Sequence, residues 1–396
     1  MQLKKVIVAP DSFKGALTAK QAAEIIASEV SIAFPDCEIV KMPIADGGEG
    51  SVDTIIGAIG GEMLDTLALS PDDRVIRANY GIATNGTAII EMAQSSGITR
   101  QNGLHPMTSS TYGFGQLISD ALERGAREFV LCIGGSATTD GGCGMAAALG
   151  ARFIDGRGND FVPCGGTLSD IAEIGADSIY ARIAESKFTV MCDVDNPLFG
   201  PQGAAFIYGP QKGASPEQIP LLDRGLRHLG HMLHEQYGRD FSNTPGAGAA
   251  GGLGAGCIAF LGASLMSGID AILNLSGYER HIRDAGLIIT GEGKLDAQSF
   301  YGKVLSGILS KAGGVPVWSV CGICECGEEM LSKKNLAVFE TSKGISIEES
   351  MSNPEKYLRN AMVRALQGKV LEQPRKISEQ RYEKSVAGKS IGQGKV

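Results

Sequence analysis

The feature that most restricts this chain is a unit used twice before Gly61: an apolar strand, a loop of glycine and acidic residues, then a helix. Residues 4–9 read as a buried strand that Pro10 and Asp11 stop. Thr18 then opens a helix, with Gln21 three residues on as a capping box and Ala22, Ile25, Ile26 and Val30 as the apolar face. A second strand at 38–42 leads into Gly47, Gly48 and Gly50 and a helix over 51–59. Strands separated by helices are the grammar of a parallel sheet covered by helices. The grammar returns late in the chain. Residues 286–290, 315–320 and 335–340 read as strands, with helices at 299–312 and 354–367.

Between these ends the pattern changes. Two strand-like runs, 75–83 and 87–92, are joined through Asn85-Gly86, a strong hairpin signal, so an antiparallel or mixed region is expected. A helix at 113–125, a strand at 128–133, a glycine loop, a helix around 145–149 and a strand at 188–193 follow. The expectation is an α/β protein: a discontinuous Rossmann-like parallel-sheet domain of residues 1–66 plus 285–372, and an inserted α/β domain of residues 67–284 containing mixed sheet. Residues 373–396 read as a polar tail.

Composition narrows the partners. The formal net charge of −8, without a dense Lys/Arg run, argues against nucleic acid. No segment of about 18 uncharged apolar residues predicts a membrane span. Nine cysteines without a signal-like leader fit a reducing cytoplasm. Glycine, at 55 of 396 residues, is about twice its usual share and clusters in loops, where backbone approaches a ligand or turns sharply.

Those loops carry the candidate chemistry. Asp11-Ser12-Phe13-Lys14-Gly15 follows the first strand, at the sheet edge where ligands bind, with Lys14 as a point charge for an anion. Asp46 and Glu49, held among Gly47, Gly48 and Gly50, suit Mg²⁺ directly or through water, or a substrate hydroxyl. Gly134, Gly135 and Ser136 begin a loop between strand and helix whose N–H groups favour phosphate or carboxylate. Asp193 and Asp195, two apart, face one side if the chain is extended. Either could bind Mg²⁺ or accept the proton of an attacking hydroxyl. Lys212, on the turn 209–213, is a candidate phosphate clamp, and the glycine run 246–256, including Gly248 and Gly251, offers backbone donors.

Three signals point elsewhere. G-x-G-x-x-G at 246, 248 and 251, with Asp270 downstream, lacks the preceding buried strand of a dinucleotide site. His228, His231 and His234 step by three along a helix with no interleaved Glu in the zinc-protease manner. Cys321, Cys324 and Cys326 lack a second Cys/His pair. No Walker A loop is present, since Gly388-Lys389-Ser390 lacks its upstream glycine.

In order along the chain, DSFKG at 11–15, ADGGEG at 45–50, GGSATTDGG at 134–142, CDVDNPLFG at 192–200, GPQKGA at 209–214, the run 245–256 and ITGEGKLDAQS at 289–299 resemble the type I glycerate kinase family, from about residue 4 to 372. The resemblance implies transfer of the γ-phosphoryl of ATP to D-glycerate, commonly at the 2-hydroxyl, with Mg²⁺, on two α/β domains. The product expected is 2-phosphoglycerate, or 3-phosphoglycerate if the other hydroxyl is attacked. The motif positions carry over to Lys14, Asp46, Asp193, Asp195 and Lys212. Glycerate is then expected near Ser12, Lys14, Asp46 and Glu49, with Lys14, Asp193 and Asp195 in the catalytic set. Gly134, Gly135, Ser136, Lys212, Gly248 and Gly251 are expected to meet phosphate or nucleotide. Thr139 replaces the usual Asn, and Lys294 the usual Arg, which removes a bidentate fork. Two alternatives are a kinase of another small hydroxy acid and a non-catalytic sensor of glycerate or nucleotide. Partners beyond glycerate and ATP are not expected, in a monomer or homodimer.

Overall fold

The computed structural model describes residues 3–44, 47–48, 50–300, 304–327, 331 and 336–368. Asp46, Glu49 and the expected tail at 373–396 lie outside the described residues. Two compact units emerge. One takes the chain up to Lys41 and again from His281 onward, and the other runs from Met42 to Arg280.

The first unit opens with β1 (Lys5–Val8), a wholly buried Lys-Val-Ile-Val run, then a helix at Ala19–Ala33 and β2 (Glu38–Lys41). The capping box forms: Gln21 N–H donates to Thr18 Oγ1 at 3.2 Å and Thr18 N–H to Gln21 Oε1 at 2.9 Å. Two of the helix's otherwise orphaned donors are thereby satisfied, which fixes where it starts. Ala22, Ile25, Ile26 and Val30, the stripe read from the sequence, are buried.

The second unit contains a six-stranded sheet. A helix at Ser51–Ile59 precedes β3 (Gly61–Leu69), β4 (Val75–Ala83) and β5 (Ala88–Glu91). These three strands pair antiparallel in sequence, and β4 and β5 join at Asn85-Gly86, where Gly86 takes φ +87°. The helix lies over β4, since a Cβ on Gly81 would collide with Ile56. The boundary expected near residue 66 would fall inside β3. Next come β6 (Glu128–Cys132), then β7 (Arg152–Asp155), β8 (Asp160–Phe161) and β9 (Ile171–Gly175) as a small antiparallel sheet in the order β8-β7-β9. Finally β10 (Lys187–Met191) and β11 (Ser264–Met266) complete the large sheet in the order β11-β10-β6-β5-β4-β3. Its β5, β6, β10 and β11 run parallel, so the sheet is mixed, as the hairpin signal implied. Phe129 on β6 stacks on Phe188 on β10 at 4.6 Å in the core.

The chain then returns to the first unit with β12 (Leu287–Leu295), β13 (Val317–Cys324) and β14 (Leu336–Glu340). All five strands there are parallel, in the order β14-β13-β12-β1-β2. From β1 the chain steps one way to β2, while from β12 it steps the other way to β13 and β14. The direction reverses between β12 and β1, and open parallel sheets bind ligands outside the carboxyl ends of strands at such a switch point. A helix over 354–368 closes the unit, with Leu358 and Met362 buried against the core.

Candidate active site

The first unit places a cavity of about 430 Å³ at its switch point. Residues after β1 (Asp11 to Lys14), the end of β12 (Glu292 to Lys294) and the end of β13 (Gly322, Ile323) line its polar side. The segment after β1 doubles back tightly: Phe13 N–H donates to Leu17 O at 2.8 Å, and Gly15 takes φ +77° at the bend. The bend leaves Lys14 exposed, and Ser12 N–H donates to Asp11 Oδ1 at 2.6 Å. Lys294 Nζ pairs with Glu325 at 2.8 Å, and the neighbouring carboxylate raises its pKa. Glu292 accepts the Ser299 hydroxyl at 2.8 Å.

The second unit has a smaller cavity, about 220 Å³, where β6 and β10 end. Gly134, Gly135 and Ser136 from the loop after β6, Cys192 to Val194 after β10, and Gln211 and Lys212 line it. Lys212 is the centre of this cavity's electrostatics. It lies on the short 3₁₀ turn Pro210–Lys212, is only 2% exposed, and donates from Nζ to Thr138 O at 2.6 Å and Ser136 Oγ at 3.1 Å. Burial disfavours its charged form and pulls the pKa from 10.5 to about 7, against the opposing attraction of Asp140.

Asp140 is itself wholly buried. It accepts from Thr111 N–H at 2.7 Å, Thr111 Oγ1 at 2.8 Å, Gly142 N–H at 3.1 Å and Gly144 N–H at 3.3 Å. Burial raises its pKa and these donors oppose the rise. Such a fully coordinated carboxylate fixes the loop that carries Ser136 and Thr138.

Glu91, at the end of β5, is another buried acid, and the sequence reading did not single it out. Each of its oxygens accepts Gly50 N–H at 3.1 Å, and Oε2 also receives Val52 N–H at 3.4 Å. It therefore caps the helix that follows the ADGGEG segment, where a carboxylate is favoured by the helix dipole. An acid closing an otherwise apolar strand is the signal that marks it.

The expected site residues divide as follows. Ser12 and Lys14 line the first unit's cavity, whereas Gly134, Gly135, Ser136, Asp193 and Lys212 come together in the second. Residues 192–197 form no regular strand, so Asp193 and Asp195 do not share a strand face. Asp193 edges the cavity and accepts Gly268 N–H at 2.9 Å; Asp195 is exposed and is not a lining residue.

Several glycines serve the fold instead of offering free donors. Gly134 N–H donates to Gly47 O at 3.0 Å, which joins the ADGGEG segment to the loop after β6. Gly248 N–H donates to Asn196 O at 2.9 Å, and Gly251 packs so closely on the Thr138 carbonyl that no Cβ fits. The run expected to present donors instead makes a left-handed turn through Ala250, Gly251 and Gly252 before its helix proceeds, and shows Ala249 and Ala250 to the cavity. His228 is tied up in packing, its Nε2 lying 2.7 Å from Ile171 O. Among the described residues no cluster of three or more His, Cys, Asp or Glu side chains could hold a metal by itself.

The sequence matches the glycerate kinase family over residues 6–368. The chain belongs to the glycerate kinase family. A glycerate kinase of Halalkalibacterium halodurans is 41% identical over 366 residues, spanning 91% of this chain and 96% of the relative. The glycerate 2-kinase of Escherichia coli is 42% identical over 311 residues, 78% of this chain and 82% of that protein. A crystal structure of a putative glycerate kinase 2 from Salmonella typhimurium LT2 superposes with a TM-score of 0.81 at 35% identity, covering 93% of this chain and all of that one.

Proposed function

We propose that this chain transfers the γ-phosphoryl group of ATP to the 2-hydroxyl of D-glycerate, giving 2-phosphoglycerate and ADP. The observation that carries the reading is Lys212. A family member keeps a buried amine, tied to a strand-end loop, at a cavity edged by an aspartate. A lysine so desolvated gains most from an arriving phosphoryl group, which restores its charge and takes a donor from it.

Lys14, with Ser12 beside it, meets the substrate carboxylate, and the acids of the ADGGEG motif, Asp46 and Glu49, accept hydrogen bonds from the substrate hydroxyls. Gly135, exposed in the cavity, and Ser136 lie beside the phosphoryl group that Lys212 steadies. Asp193 or Asp195 takes the proton from the attacking hydroxyl as its oxygen bonds to the γ-phosphorus and the bridging oxygen leaves with ADP. These two aspartates offer hard oxygen donors close in the chain, and Mg²⁺ is ordinarily held by one or two carboxylates together with phosphate oxygens. When bound, Mg²⁺ neutralises charge on the transferring group.

Phosphorus NMR of a reaction with ATP and D-glycerate should show 2-phosphoglycerate, and Asp193→Asn or Asp195→Asn should lower kcat by about 10²-fold or more. Near-normal turnover in both variants removes the assignment of these acids. Absence of any phosphoglycerate removes the function.

A further inference from the structure

We propose that two copies of this chain join through the free edge of β3, pairing antiparallel across a two-fold axis so that the six-stranded sheet of one copy runs on into the other. β3 is the outermost strand of that sheet and pairs with β4 along all nine residues, Gly61–Leu69, without a bulge. Sheets blunt their edges with short strands, proline, bulges or lysine, because an unpaired row of backbone groups recruits another strand. The far edge of the same sheet obeys that rule, since β11 has three residues, and the edge strand β2 of the first unit has four. β3 is long and regular, and carries neither proline nor lysine.

The hydrogen-bond phase fixes which groups face outward. Ser70 N–H donates to Arg74 O at 2.8 Å and Thr84 N–H to Gly60 O at 3.2 Å, so the even-numbered residues of β3 bond to β4. Antiparallel pairing then turns the N–H and C=O groups of Met63, Asp65, Leu67 and Leu69 away from β4. Leu69 agrees with this phase, for its N–H donates to the Gln116 side chain at 2.8 Å. Met63, Asp65 and Leu67 have no such side-chain cap among the described residues.

The side chains select a second copy as the occupant. Ala68, Ala78 and Tyr80 turn to the core, whereas the opposite face of the β3–β4 pair carries Leu67, 65% exposed, and Val75, 69% exposed. These two lie diagonally on neighbouring strands, Leu67 facing Arg77 and Leu69 facing Val75. Asp65 and Arg77 flank them, both exposed, and neither makes an ion pair or side-chain hydrogen bond among the described residues. A two-fold interface brings a surface onto itself, so a patch holding one acid and one base complements its own copy. Centred on Thr66, the pairing sets Asp65 of each copy opposite Leu67 of the other and keeps the two aspartates from facing each other. Arg77 then stands two strand spacings, about 10 Å, from the other copy's Asp65 on the same face, a gap the two side chains span together.

Sedimentation velocity of the full chain across a range of micromolar concentrations tests the proposal, and the expected species has twice the chain mass. Asp65→Arg and Arg77→Asp each set like charges against one another across the axis and should raise the dimer Kd by about tenfold or more. Combining the two reversals should restore the dimer, which a folding defect would not do. Amide hydrogen exchange at Met63, Asp65 and Leu67 should slow as the concentration of the unmodified chain rises. A monomer at every concentration, or a dimer that both single reversals leave intact, overturns the inference. None of these residues lines either candidate-site cavity, so the outcome is independent of the proposed reaction.

Discussion

Replacing Lys212 with methionine should make the protein more stable near pH 6 and lose that advantage as the pH rises. The side chain is 2% exposed, and burial takes its pKa from 10.5 to about 7. Below pH 7 the amine is protonated in both folded and unfolded chains, and the folded state carries the whole penalty of holding a desolvated charge. Between about 7 and 10.5 the unfolded chain binds the proton and the folded chain does not, so folded stability rises with pH across that window. Above it both states are neutral and the penalty is gone. At about 1.4 kcal/mol per pKa unit, the fall corresponds to about 5 kcal/mol.

Methionine removes that penalty but leaves the Thr138 carbonyl and the Ser136 hydroxyl without the lysine's donors. The Ser136 hydroxyl retains other contacts, with Thr138 Oγ1 at 3.2 Å and Ala250 O at 3.2 Å, and lies 3.4 Å from the Thr138 carbonyl. The lost bonds therefore cost about 1–2 kcal/mol. The net gain of Lys212→Met near pH 6 should be about 3 kcal/mol, shrinking and then reversing by about pH 10. Urea unfolding of both chains at a series of pH values measures the difference directly. A methionine variant destabilised by the same amount at every pH would refute the reasoning, because the charge would then be as comfortable inside as in water. Activity should move the other way. On the proposed function the variant loses a contact to the phosphoryl group, and in the unmodified protein kcat/KM should fall above about pH 7 as free Lys212 loses its proton.

Two further outcomes test the framework around that amine. Asp140→Asn sets an amide among four donors that now converge on a carboxylate, so the unfolding free energy should fall by about 2–4 kcal/mol in denaturant titration. Gly251→Ala combines a φ of +72° with a collision on the Thr138 carbonyl and should cost more than about 3 kcal/mol. By comparison, Gly238→Ala has a similar φ of +65° but open space around it and should cost only about 1 kcal/mol, as thermal unfolding of the pair will show.

Elements whose cause is local were legible in the sequence. The Thr18–Gln21 box, the buried run of β1, the Asn85-Gly86 turn and the helix at 51–59 depend on neighbours a few residues away, and each appears where expected. Elements defined by a partner were not. Strand β3 is mostly exposed or half-buried, so its sequence lacks a clean alternation, and its pairing with β4 is what makes it a strand. The short strands β7 to β9 are likewise held by one another within an antiparallel patch.

The candidate site divides along the same physical line. Glycine-rich loops after strands were readable as sites because a parallel sheet collects its strand-end loops on one edge, and the cavities do form there. Which amide groups remain free was not readable. That depends on whether another backbone approaches, as Gly47 does at Gly134 and Asn196 at Gly248. The burial of Lys212 has the same origin. A lysine on the short turn Pro210-Gln211-Lys212-Gly213 looks solvated in sequence, yet Ser136 and Thr138 of the loop after β6 take its amine and it is 2% exposed. The close packing of Gly251 on the Thr138 carbonyl holds the loop whose Thr138 and Ser136 meet the amine of Lys212.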